Sequence, residues 1–102
     1  MKILIAGGSP LTMGIIDFLS AHRHNIMLVD PDREHCEKAA QFLGHPVLNG
    51  NPWETDSLGK VKPSQFDLLI AATGRDENNL LTCELAKELS FNYTIALIDN
   101  PS

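Results

Sequence analysis

An unbroken apolar run that ends on two glycines, Ile3-Leu4-Ile5-Ala6-Gly7-Gly8, constrains this chain more than any other stretch. Four consecutive apolar residues fit a short strand buried on both faces, as in a parallel sheet. Helical periodicity follows from Leu11 to Ala21, with Ile15, Phe18, Leu19 and His22 on one stripe. Strand, Gly-rich turn and helix together open a βαβ unit. The free N–H groups at such a helix N-terminus attract an anion such as phosphate, and glycine lets it approach the backbone.

The spacing of the turn departs from Gly-x-Gly-x-x-Gly. Gly7 is the first glycine, Ser9 and Thr12 stand at the second and third, and Gly8 and Gly14 lie off the pattern. Pro10 also removes one N–H donor from the turn. The Ser9 side chain either blocks close approach or offers its hydroxyl to a phosphate. Asp30 lies 23 residues after Gly7, at the end of the run Ile26-Met27-Leu28-Val29. An acidic group there accepts both hydroxyls of a nucleotide ribose and repels a 2′-phosphate. The alternative for Asp30 is a helix cap, with Pro31 as the first helical residue.

Strand and helix signals alternate through the whole chain, which predicts an α/β fold with a parallel sheet. The strands are expected at Lys2–Ala6, Ile26–Val29, Pro46–Asn49, Asp67–Ala72 and Thr94–Ile98. A second helix begins after Asp30-Pro31-Asp32 and stops at Gly44, with Cys36, Ala39, Ala40 and Leu43 as its buried stripe. Asn51, Pro52 and Glu54 read as a capping box for a short helix reaching Leu58. A fourth helix runs from Glu77 to Leu89, with Leu81, Leu85 and Leu89 on one stripe and Ala86 beside it. Right-handed crossovers give a three-layer α/β/α, Rossmann-like arrangement with strand order 3-2-1-4-5. Its ligand edge lies at the carboxyl ends of the strands, where the Gly7 turn, Asp30, Gly50-Asn51 and Thr73-Gly74 converge.

The 102 residues are expected to form one domain, residues 1–102. A net charge of −5 argues against nonspecific binding to nucleic acid or to an anionic membrane surface. No apolar stretch approaches the ~20 residues of a membrane span, so no direct membrane insertion is expected. With no secretory signal, Cys36 and Cys83 are expected reduced and packed, and the compartment is expected to be the cytoplasm. His22, His24, His35 and His45 lack structural-zinc spacing, so no metal site is expected. Asp76 and Glu77 read as capping the fourth helix rather than as an acid/base pair. Trp53 is placed either against a base or over the core edge. Tyr93 has no lysine four residues later, and no histidine or lysine is placed for hydride chemistry, so no catalytic residue is assigned.

The stretch Ile70-Ala71-Ala72-Thr73-Gly74-Arg75-Asp76-Glu77-Asn78-Asn79-Leu80-Leu81, followed by Leu85-Ala86-Lys87-Glu88-Leu89, resembles the TrkA-N family. These are the regulatory nucleotide-binding domains, also called RCK or KTN, of potassium channels and transporters. Val29-Asp30 with Asp32, Asn49-Gly50-Asn51 and Ile98-Asp99-Asn100-Pro101 extend the likeness over nearly the whole chain. The resemblance implies a cytosolic domain that binds NAD+ or NADH, or alternatively ATP, ADP or AMP. It implies a membrane potassium channel or transporter subunit as partner, and a homodimer or larger homo-oligomer. Position by position, it assigns the phosphate turn to Gly7, Gly8, Ser9, Pro10, Leu11 and Thr12. It assigns the ribose carboxylate to Asp30, adenine-side contacts to Gly50 and Asn51, and a loop contribution to Thr73 and Gly74. Leu97 stands where the family often has an arginine, and the family continues beyond this point to a sixth strand. The alternatives are a Rossmann scaffold that makes protein contacts without nucleotide, and a fragment of an NAD-dependent oxidoreductase.

Overall fold

The computed structural model describes residues 1–8, 10–43 and 46–98, and of residues 10, 11, 42 and 43 the backbone alone. Five strands form one sheet in the order β3-β2-β1-β4-β5: β1 Lys2–Ala6, β2 Asn25–Asp30, β3 Val47–Asn49, β4 Leu68–Ala71 and β5 Thr94–Ala96. Every pairing is parallel. Ile5 aligns with Leu28 on one side and with Ile70 on the other, and Ala6 aligns with Val29 and Ala71. The central strand is apolar because both of its faces are covered. Ile3, Leu4, Ile5 and Ala6 are all buried. The expected strand order and the doubly wound topology are what the chain adopts.

Alternation along the strands divides the core into two layers. Ile3, Ile5, Ile26 and Leu28 pack beneath α1 (Pro10–Ala21) and α2 (Arg33–Lys38) through Ile16 and Ala39. Leu4, Val29, Leu69 and Ala71 pack beneath α3 (Thr55–Leu58) and α4 (Asp76–Glu88) through Leu58, Cys83 and Ala86. Each large apolar side chain buried in this way contributes about 1.5–3 kcal/mol.

The helices differ from expectation in which face they bury. In α1 the inward positions are Thr12 and Ile16, flanked by Met13 and Leu19, while Phe18, and His22 just past the end of the helix, are exposed. The two exposed rings lie against each other at a tilt of 34°, with centroids 4.3 Å apart. In α4 the buried residues are Asn79, Thr82, Cys83 and Ala86. Leu81 is 49% exposed, and Leu85 and Leu89 are only partly buried. Both helices are turned by polar anchors: Thr12 and Asn79 each hydrogen-bond to backbone at the sheet edge. Such satisfied polar groups are stable in the interior.

Caps also move. The cap of α2 is Asp32, whose side chain accepts from the N–H groups of Glu34 and His35, so Asp30 is not the cap. After Lys38 the helix widens into a π-helical stretch, Ala39–Leu43, and Ala40 is exposed rather than buried. The change of winding rotates the expected stripe out of register. Gly44, the expected stop, lies outside the described residues. The cap of α3 is Glu54 rather than Asn51, and the Asn51 side chain instead donates to Glu54 Oε1 at 2.9 Å. Arg75 occupies the cap position of α4, with Asp76 and Glu77 in the first turn. No helix among the described residues is long and apolar enough to cross a membrane.

Candidate functional site

The carboxyl edge is built from the end of β1 outward. The Gly7 N–H donates to the carbonyl of Val29 at 2.9 Å, and the Ala72 N–H donates to the carbonyl of Ala6 at 2.7 Å. Gly7 has φ of 109°, a conformation that side-chain-bearing residues avoid. A Cβ there would also stand 2.4 Å from the Ala72 carbonyl oxygen. The chain can therefore leave β1 and pass the end of β4 only with glycine at this position. Behind the turn, Thr12 is fully buried and its hydroxyl donates to the carbonyl of Ala72 at 3.2 Å. Thr12 ties the start of α1 to the end of β4, a contact that the glycine of the usual motif could not make.

Asp30 closes the other side of the turn. It is 4% exposed. Its Oδ2 accepts the Gly8 N–H, and its Oδ1 accepts the Asp32 N–H at 2.6 Å. Nδ1 of His35 lies 3.3 Å from the same Oδ1, and Nε2 of His35 lies 3.8 Å from Asp32 Oδ2. A carboxylate offers about four lone-pair directions, and Gly8, Asp32 and His35 address three of them. Asp30 therefore holds the Gly8 amide and the entry to α2 in one arrangement. Cys36 is buried just beneath, its thiol 3.4 Å from the Asp30 carbonyl oxygen. Burial, and then the Asp30 charge, push this thiol above its ordinary pKa.

Two further loops meet this edge. The Gly50 N–H donates to the Asp30 carbonyl at 3.0 Å, and the Asn49 side chain donates to the carbonyls of Asp30 and Pro31 at 3.0 and 3.1 Å. A Cβ on Gly50 would meet Ser57 Oγ at 2.4 Å, and that same oxygen accepts the Asn51 N–H at 3.1 Å. On the far side, Oδ1 of Asn79 accepts both the N–H and the hydroxyl of Thr73, at 2.7 and 2.6 Å. Its Nδ2 donates to the carbonyl of Leu97 at 2.7 Å. Gly74 has φ of 89°, which glycine tolerates best.

The structure thus places Gly7, Gly8, Thr12, Asp30, Gly50, Asn51, Thr73 and Gly74 along one edge of the sheet. α1 begins there at Pro10, with Leu11 in its first turn. Ser9 lies outside the described residues, and the side chains of Pro10 and Leu11 are not described. Sequence reasoning gave no site role to His35, Asn49, Ser57 or Asn79. Asn79 shares its inward face with Thr82, Cys83 and Ala86, a face that apolar periodicity does not pick out, and His35 reaches Asp30 only through the fold. Trp53 is half-buried. Among the described residues no three His, Cys, Asp or Glu side chains are grouped to hold a metal ion.

A parallel sheet wound in both directions from β1, with its polar constellation on the carboxyl edge, is a Rossmann-type domain. The TrkA-N domain model matches residues 3–102, and the chain belongs to that family. A Trk system potassium uptake protein TrkA homolog of Methanothermobacter thermautotrophicus is 34% identical over 101 residues, covering 99% of this chain and 47% of that protein. The homolog of Pyrococcus abyssi is 28% identical over 102 residues, covering 99% of this chain and 45% of its own length. The chain therefore spans about half the length of these relatives. Among solved structures, the GsuK RCK domain superposes with a TM-score of 0.83 at 24% identity, over 98% of this chain and 22% of that one. The NAD(P)-binding domain of an exopolyphosphatase-related protein from Archaeoglobus fulgidus gives 0.85 at 18% identity, over 97% of this chain and 74% of that one. At such identities the likeness is one of fold.

Proposed function

We propose that residues 1–102 are a nucleotide-binding regulatory unit of a potassium uptake system, which senses NAD+ or NADH, or an adenine nucleotide such as ATP, ADP or AMP. The observation that carries this reading is the Asp30 carboxylate at the tip of β2, facing the Gly8 amide beside the start of α1. A dinucleotide fits that donor and acceptor set. Its diphosphate would lie on the turn Gly7 to Thr12 and on the positive end of α1. Its ribose hydroxyls would take Asp30. Gly50 and Asn51 would border the adenine, with Thr73 and Gly74 at the opposite lip. Bound nucleotide would supply a charge and a shape that the edge accommodates in one conformation, and that difference is what a partner subunit could read. A coupling of ~1–3 kcal/mol is enough for regulation.

The family and its potassium-uptake relatives support this role over catalysis. The partner in this reading is a membrane channel or transporter subunit, with the unit on the cytoplasmic side. Exposed Phe18, Leu80 and Leu81 on α1 and α4 support contacts with further copies or with that partner. A second reading is a scaffold that makes protein contacts without nucleotide. It is favoured by the three partners that already engage Asp30.

Thermal unfolding in the presence of NAD+, NADH, ATP, ADP and AMP separates the two. A ligand at 100 times its dissociation constant adds about 2.7 kcal/mol of stability, roughly ten degrees or more for a domain of this size. A shift with one nucleotide supports the sensor and names its ligand. No shift at millimolar concentration gives the edge to the scaffold.

A further inference from the structure

The four-residue α3 is only about 6 Å long, and it covers just one end of its face of the sheet. The chain then runs down to a 3-10 turn, Pro63–Gln65, and enters β4 through Phe66. At the amino edge this leaves a cavity of about 440 Å³, with Met27 and Phe66 among its apolar walls and Pro46 beside them. Lys2, His24 and Gln65 supply polar groups to its lining. β1 separates it from the Gly7 turn by the length of a five-residue strand, about 15 Å.

Charge distinguishes this cavity from the rest of the molecule. The chain carries 13 acidic residues against 8 Lys and Arg, yet among the described residues no Asp or Glu lines it. Lys2 makes no ion pair among the described residues. Its ammonium stands 6.0 Å from the centre of the Phe66 ring. The neighbouring Asp67 carboxylate accepts the backbone N–H of Lys2, at 2.8 Å. An unpaired cation over an aromatic wall, at the mouth of an apolar hollow within the usual size range for small ligands, matches an apolar molecule that bears one negative charge.

We propose that this cavity is a second small-molecule site, for an aromatic or branched apolar acid. Its hydrocarbon body packs on Met27, Pro46 and Phe66. Its carboxylate or sulfonate meets Lys2, and His24 and Gln65 add hydrogen-bonding capacity at the rim. The site stands apart from the nucleotide edge and does not depend on it.

The test uses the aromatic sulfonate 8-anilinonaphthalene-1-sulfonate as probe, followed by fluorescence and by amide chemical shifts of the labelled chain. One saturable equivalent is expected, with shifts centred on Lys2, Met27 and Phe66. Lys2→Ala is expected to weaken binding about tenfold and Lys2→Glu to abolish it. Lys2 has an exposed side chain, so both variants keep the fold, which the unperturbed amide spectrum verifies. Saturating NADH should leave probe binding unchanged. Non-saturating binding, shifts centred on Gly7 and Gly8, or equal affinity in the Lys2 variants would each overturn the proposal.

Discussion

Nδ2 of Asn79 donates to the carbonyl oxygen of Leu97 across 2.7 Å, while Oδ1 of the same amide takes two donors from Thr73. One side chain, 2% exposed, thereby joins the loop after β4, the helix α4 and the segment that leaves β5. Asn79→Ala removes the acceptor of the half-buried Thr73 N–H and the donor to the Leu97 carbonyl, while the Thr73 hydroxyl keeps the Arg75 carbonyl at 3.3 Å. The expected loss is about 2–3 kcal/mol of unfolding free energy, from the cost of an unsatisfied buried polar group. Urea unfolding measures it, and a loss below ~0.5 kcal/mol would mean that water replaces the amide.

Asp30→Asn preserves shape but exchanges one acceptor for a donor. An amide nitrogen then faces either the Gly8 or the Asp32 N–H, both of which the carboxylate accepts. Stability should fall by about 1–3 kcal/mol. Under the proposed ribose role, NADH affinity in the folded variant should fall at least tenfold, because neither the charge nor the paired acceptors for ribose hydroxyls remain. Calorimetric titration of wild type and variant checks the second effect. Equal affinity would remove Asp30 from the ribose site.

Gly8 and His35 are tightly apposed. A Cβ on Gly8 would stand 2.8 Å from Cβ of His35 and 3.2 Å from Asp30 Oδ2. Gly8→Ala should therefore cost about 1–3 kcal/mol through forced displacement. Because the contact is with Cβ, adding His35→Ala should not rescue it. Adding His35→Gly should relieve the clash, against a helix-propensity penalty of about 1 kcal/mol. Denaturant midpoints of the three variants decide the matter, and a rescue by His35→Ala would place the clash at the ring instead.

Much of this architecture is legible in the sequence, and the reason is physical. Strands buried on both faces must be apolar throughout, so β1, β2 and β4 stand out, and the crossover rule then orders the sheet. Helix faces are less legible. Periodicity puts Phe18 and Leu81 inward because they are large and apolar, yet Thr12 and Asn79 win the interior by hydrogen-bonding to Ala72 and Leu97. No residue type announces the π winding at Ala39–Leu43. Within the candidate site, the position of Asp30 follows from spacing alone. Its partnership with His35 follows only once α2 is folded back over the Gly8 turn.

Gly14 offers the opposite case from Gly8. It is an exposed position in α1, and a Cβ there meets nothing within 4 Å. Gly14→Ala should stabilise the chain by about 0.5–1 kcal/mol, since alanine loses less backbone entropy in a helix. A rise in melting temperature with unchanged nucleotide response would confirm that Gly14 acts only through the helix. A fall would show that this face is covered by something in the folded state.

The two thiols give the protein an alkaline limit. Burial raises the Cys36 pKa, and the nearby Asp30 charge adds to it. Burial also raises the Cys83 pKa, against smaller opposing contributions from a Thr94 hydrogen bond and the Lys87 charge. A free thiol in the unfolded chain titrates near ~8.5, below both folded values. Between the two values the native state holds protons that the unfolded state has released, so stability must decline as pH rises. The contribution is fully present below pH ~8.5 and is lost progressively toward the folded pKa values. Melting temperatures from pH 7 to 10 should fall in the wild type and fall less steeply in a Cys36→Ala, Cys83→Ala double variant. The comparison removes the background from every other group, which both proteins share. Parallel slopes would mean that the thiols ionise equally well in the folded state, and that burial at Cys36 and Cys83 does not protect them.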